Sequence, residues 1–295
     1  SSRKKTPGAK EVNALMALYG KGRLTEAEVL ARSLTTRFPG YGFGWKMFGT
    51  ILLQQGRVGD ALAPLQKAVG LLQTDAELHS NLGTIFKAVG RLSEAEASYR
   101  QALTIKPNFA DAHGNLGTIF KAVGRMSEAE ASYRLALKIN PNFAEAHGNL
   151  GNVLQDLGRP SEAEASYRRA LKLTPAYADA HNNLGSLLQG QGRLTEAETN
   201  LRRALALKPN FVEALGNLGN VLSDLGYLSE AEASYRQALR IKPDDAQAHS
   251  NLLFWLSQNE AVDAAALFAE HCRFGAQFEA PLRPQWLQHS NSREP

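Results

Sequence analysis

Displaced by 34 positions the chain falls on itself: Asn81-Leu82-Gly83 lies on Asn115-Leu116-Gly117, then on Asn149-Leu150-Gly151, Asn183-Leu184-Gly185 and Asn217-Leu218-Gly219. The register never slips across these copies, and residues 83–113 and 117–147 differ only at Leu92/Met126, Gln101/Leu135, Thr104/Lys138, Lys106/Asn140 and Asp111/Glu145. A chain this periodic builds one small unit many times. Each unit packs on its neighbours, so length alone does not require one large core.

Within a unit, His113, Leu116, Gly117 and Phe120 recur at i, i+3, i+4 and i+7, the spacing of one buried helical stripe. Gly22, Gly56, Gly90, Gly124, Gly158, Gly192 and Gly226 follow in register, where a residue of positive φ can close a helix end. A second helix is expected to open on the Ser/Thr-x-x-Glu capping box of Ser93-Glu94-Ala95-Glu96, repeated from Thr25, Ser127, Ser161, Thr195 and Ser229. Ala129, Tyr133 and Ala136 give that helix its buried side, the ring expected to fill the gap to the neighbouring unit. Pro107, Pro141, Pro175, Pro209 and Pro243 stop it. The fold class is therefore all-α, a solenoid of antiparallel helix pairs.

The Lys and Arg number 33 against 29 Asp and Glu, but Arg3, Lys4, Lys5 and Lys10 precede the first acid, leaving the remainder formally neutral. Residues 1–7 read as a solvated, disordered basic tail and not a nucleic-acid arm, since no stacking aromatics accompany them. The single cysteine, Cys272, excludes an internal disulfide framework, and no apolar run is long enough to span a membrane. With no apolar leader at the N-terminus, a cytoplasmic setting is expected.

Trp45-x-x-Phe48-Gly49-x-x-Leu52, followed by Ala61 and Ala68, resembles the tetratricopeptide signature. On this register an array covers residues 8–279, with units from about 8, 42, 76, 110, 144, 178, 212 and 246, and residues 280–295 form a C-terminal extension or linker. The first and last units are degenerate, with Leu15 and Leu253 in place of glycine and Glu260 in place of the turn glycine. The resemblance implies a right-handed superhelix with the first helices on its inner surface. More narrowly, the asparagine column Asn81, Asn115, Asn149, Asn183, Asn217 and Asn251 and the run NLG…G…EAE..YR.AL…P resemble the repeat region of O-linked N-acetylglucosamine transferases and their SPINDLY-type bacterial relatives. The stretch from Phe274-Gly275 through Pro281-Leu282-Arg283 to Trp286 is similar to the linker entering their catalytic half. That resemblance implies an asparagine ladder gripping the backbone of substrate polypeptides in a concave groove.

Each asparagine precedes the buried leucine, which turns its side chain off the packed stripe. An amide both donates and accepts, so a column of them can pair with the N–H and C=O groups of an extended peptide whatever its side chains. Alternatively, each amide bonds the adjacent unit and stiffens the stack. Lys87, Lys121, Asp156 and Asp224 mark secondary contacts beside the column, or simply a solvated face.

His79, His113, His147, His181 and His249 fall once per repeat and cannot converge on one ion, so they read as packing and no metal is expected. The repetition of Glu94 and Glu96 argues against a unique acid/base centre. Gly40 to Gly44 lacks the strand and the Lys-Ser/Thr of a phosphate loop. The acids Glu77, Asp111, Glu145, Asp179 and Glu213 disfavour a clamp for an acidic chaperone tail.

The chain thus reads as a scaffold with no catalytic residues and no cofactor, binding a polypeptide and neither nucleic acid nor membrane. Pairing of two copies into a homodimer stays open. So do two parent contexts, the substrate-recruiting region of an O-GlcNAc transferase-like protein and a free-standing adaptor, co-chaperone or assembly scaffold.

Overall fold

The computed structural model describes residues 6–259 and 262–281. Residues 1–5 of the expected basic tail, Glu260 and residues 282–295 lie outside these residues. The chain divides between Leu157 and Gly158 into two compact units. The first holds α1 (Ala9–Gly20), α2 (Leu24–Arg37), α3 (Gly42–Gln54), α4 (Val58–Leu71), α5 (Ala76–Ala88), α6 (Leu92–Ile105), α7 (Ala110–Ala122), α8 (Met126–Ile139) and α9 (Ala144–Asp156). The second holds α10 (Pro160–Leu173), α11 (Ala178–Gly190), α12 (Leu194–Leu207), α13 (Val212–Asp224), α14 (Leu228–Ile241), α15 (Ala246–Gln258) and α16 (Ala264–Phe274), then a π-helical turn over Gly275–Glu279.

Inside each unit consecutive helices pack as antiparallel neighbours, and first helices also touch the next first helix, as α5 touches α7 and α11 touches α13. The seven turn glycines all take positive φ, Gly90 at 77°. That conformation lets Arg91 N–H reach Phe86 O at 2.8 Å and Gly90 N–H reach Lys87 O at 3.1 Å, satisfying carbonyls that the helix end would leave orphaned.

The second helices do not start as the capping box requires. α6 begins at Leu92, so Ser93 already lies inside its first turn, the residue ahead of the helix is Arg91, and no side chain caps it. The same holds for α2, α8, α10, α12 and α14, which are preceded by arginine or Tyr227. The positive-φ glycine turn feeds straight into the helix and leaves no residue to spare for a serine cap. The acids are used otherwise. Glu94 pairs with Arg91, while Glu96 takes Arg100 at 2.7 Å and Arg125 of the next repeat at 3.0 Å.

Tyr133 also differs from its expected place. Its ring lies against Gly117 of its own helix pair, where a Cβ on the glycine would stand 3.0 Å from the ring, and its hydroxyl bonds Thr118 Oγ1 at 3.0 Å. Glycine on the first helix is thus the socket for the aromatic on the second. Gly83 with Tyr99 and Gly219 with Tyr235 repeat the arrangement, and Gly185 receives Leu201.

The histidines serve the turn that joins repeats. The Nε2 of His113 faces Pro107 O at 2.9 Å, that of His147 faces Pro141 O at 3.1 Å, and that of His181 faces Pro175 O at 3.2 Å. Trp45 Nε1 makes the equivalent bond to Pro39 O at 2.9 Å, so histidine does there what the indole does. A carbonyl only accepts, which places the proton on Nε2.

Candidate functional site

The six asparagines sit on the first helices. Asn81 is exposed and the other five are half-buried. The same register also places Asn13 of α1 in this column, exposed, while Met47 interrupts it. Asn13 was legible in the sequence as the second 34-residue step back from Asn81, past Met47.

In the unit ending at Leu157 the column is largely unspent. The side chains of Asn81 and Asn149 make no hydrogen bond among the described residues. Asn115 accepts from Lys87 Nζ at 3.0 Å through Oδ1, which leaves its amide N–H groups without a protein partner. Asn115 and Asn149 together line a cleft of about 240 Å³ whose walls also carry Asp111, Thr118, Phe143 and Glu145. Between the same two first helices, α7 and α9, Lys121 Nζ lies 3.8 Å from Asp156.

In the unit beginning at Gly158 the same column is spent on the protein. Asn217 Nδ2 donates to Asn182 Oδ1 at 3.0 Å, and Asn182 Nδ2 donates to Asn183 Oδ1 at 3.2 Å. Asn251 is held by Gln247 at 2.8 Å and lies 3.4 Å from Asn220 Oδ1. Asp224 accepts from Gln189 at 2.9 Å.

For Asn217 the residue before the column decides the difference. Asn182 offers an acceptor to the next repeat's asparagine, whereas its counterpart Gly114 offers none to Asn149. The importance of Asn182 and Asn220 is missed by reading the column alone, although both stand in the sequence as departures from Gly and Thr at their repeat positions.

Charge along this face is locally fixed. Burial opposes ionisation of Asp75, but the hydrogen bonds from Lys46, at 2.6 Å, and from Leu78 N–H outweigh it and hold the carboxyl below its ordinary range. Burial, reinforced by nearby Asp224, pushes the Tyr235 phenol up to about 12, so it donates to Asn220 Oδ1 at 2.7 Å as a neutral hydroxyl. Among the described residues no group of three or more His, Cys, Asp or Glu is arranged to hold a metal, and no helix is long and apolar enough to cross a membrane.

No curated protein matches the chain in sequence. Solved structures share its fold. YrrB, described as a TPR protein with an unusual peptide-binding site, is 25% identical, with a TM-score of 0.51 over 62% of this chain and 95% of that one. The Pseudomonas aeruginosa pilF structure is 19% identical, with a TM-score of 0.65 over 74% of this chain and 97% of that one. A chain of the APC/C hetero-tetramer Cut9-Hcn1 is 17% identical, with a TM-score of 0.66 over 91% of this chain and 53% of that one. The last two likenesses speak to fold alone. A family model described as the Cilia and flagella-associated protein 70 C-terminal domain matches residues 13–253, and the chain belongs to this family of tetratricopeptide-repeat proteins.

Proposed function

We propose that the chain is a protein-interaction scaffold that holds an extended polypeptide across its first helices, gripping the backbone through Asn81, Asn115 and Asn149. One observation carries this reading: Asn115 and Asn149 share one cleft, and the amide of Asn149 is not used by the fold. First helices of neighbouring repeats lie about 8–10 Å apart. An extended chain rises about 3.3 Å per residue, so successive asparagines meet every third peptide unit or so. Because amides read N–H and C=O groups, such a grip is tolerant of ligand sequence. The peptide-binding site named for YrrB favours the same class of ligand.

The secondary contacts fit the same reading. Lys87 polarises the amide of Asn115, Lys121 pairs with Asp156 of the next first helix, and Asp224 stays bound to Gln189. The finer assignment, the substrate-recruiting region of an O-GlcNAc transferase-like protein, rests on the asparagine column and the repeated NLG…EAE..YR run. It expects a nucleotide-sugar-binding α/β region encoded after Pro295; sequencing the reading frame there and finding a stop or an unrelated domain would leave the adaptor reading in its place.

The peptide grip is tested by changing Asn81, Asn115 and Asn149 together to Ala and measuring capture of a degenerate library of unstructured peptides. At about 1 kcal/mol net per hydrogen bond, affinity should fall about 100-fold. The melting temperature should hold. Unchanged affinity, or a fall that merely tracks lost stability, contradicts the reading.

A further inference from the structure

The end of the second unit departs from the repeat at one corner. His249 abandons the turn carbonyl that its counterparts bond and instead meets Glu270 of α16, Nε2 to Oε1 at 3.0 Å, both side chains buried. Gln277 of the π-helical turn takes the vacated role, its Nε2 donating to Pro243 O at 2.7 Å. Phe274 and Phe278 stand edge-on to the imidazole, with ring centroids 5.3 and 5.9 Å away, and fix its orientation.

This rewiring leaves a cleft of about 320 Å³ between α14 and α16, with His249 and Glu270 in its wall and Leu239 and Pro243 giving it an apolar side. Three arginines line it, Arg236 and Arg240 from α14 and Arg273 from α16. Their donors are mostly unspent. Arg273 uses one nitrogen on Glu270 at 2.9 Å, and Arg236 gives Nε to Glu232 at 2.7 Å with a second nitrogen 3.7 Å from Glu270. Arg240 makes no hydrogen bond or ion pair among the described residues. Three cations face two carboxylates, Glu232 and Glu270, so the corner keeps an excess of positive charge.

We propose that this cleft binds an oxyanion, a carboxylate or phosphate group carried on a small, partly apolar molecule. A guanidinium presents a planar fork of N–H donors that matches such oxygens two at a time, and two forks on facing helices can hold one group from both sides. The buried carboxylate sets the orientation of Arg273 through one nitrogen and leaves its remaining N–H groups, with those of Arg240 on the facing helix, to the ligand. The site is independent of the asparagine column.

The experiment follows the arginine Nε–H signals of the whole chain by NMR during titration with inorganic phosphate and, separately, glutarate, each against potassium chloride at equal ionic strength. Saturable shifts at Arg240 and Arg273 are expected, weakened about tenfold in Arg240→Ala with the fold intact. Saturation by phosphate alone assigns a phosphorylated ligand, and saturation by glutarate alone assigns a carboxylate. Shifts that chloride reproduces, shifts that never saturate, or binding unaltered by Arg240→Ala would overturn the proposal.

Discussion

The two units carry the same asparagine at the same repeat position and use it in opposite ways. Up to Leu157 the amides of Asn81 and Asn149 are left over from folding, while beyond Gly158 the amides of Asn217 and Asn251 are consumed by Asn182, Asn220 and Gln247. For Asn217 the difference arises one residue before the column of the preceding repeat, where Asn182 has an amide and the counterpart Gly114 has no side chain; Asn251 is taken instead by Asn220 and Gln247. A column that looks uniform in sequence is therefore divided in role. An amide bonded within the stack stabilises it by about 0.5–1.5 kcal/mol, and the same amide is then unavailable to a ligand.

The largest effects test whether packing beneath the column is shared by both units. A Cβ on Gly219 would stand 2.5 Å from the Tyr235 ring, against 3.0 Å for Gly117 and Tyr133. Gly219→Ala should cost up to about 3 kcal/mol and Gly117→Ala about 1 kcal/mol in denaturant unfolding. Equal or inverted costs would remove the socket argument.

Next in size is an exchange of the deciding residue. Gly114→Asn gives Asn149 the partner that Asn217 already has; its Cβ would lie 3.1 Å from Phe143, a ring that must yield slightly. Peptide affinity should fall about fivefold. The reciprocal Asn182→Gly should lower stability by about 1 kcal/mol while freeing Asn217, and binding should tighten. Binding unaffected by either exchange would show that the upstream residue does not control the column.

The smallest effect is acid sensitivity at the Lys46–Asp75 link between repeats of the first unit. Because the folded pKa of Asp75 lies below its unfolded value, this stabilisation is complete above the unfolded value of about 3.9 and is lost as pH falls through the lower folded value. Thermal melts from pH 6 down to pH 3 should show a decline that Asp75→Asn partly removes.

The helix positions were legible because each repeat writes its own punctuation: a positive-φ glycine after the first helix and a proline after the second, repeated without slippage. What the sequence obscured was competition between local signals. Ser93-Glu94-Ala95-Glu96 satisfies a capping pattern, yet the glycine turn starts α6 two residues earlier and the acids pair with arginines, one of them in the next repeat. The candidate site was visible as a polar column but not as a divided one, because which amides remain free depends on contacts between repeats. His249 illustrates the same point. It occupies the position of His113, but α16 brings Glu270 within reach and redirects it.

The central claim is that the unspent asparagines of the first unit hold the polypeptide. Following the side-chain amide signals of Asn81, Asn115, Asn149, Asn183, Asn217 and Asn251 by NMR while an extended peptide is added tests it most directly. The first three should shift and saturate together at the binding constant, with the last three little changed. Saturating shifts confined to Asn183, Asn217 and Asn251, or none in the column while the peptide binds, would contradict it.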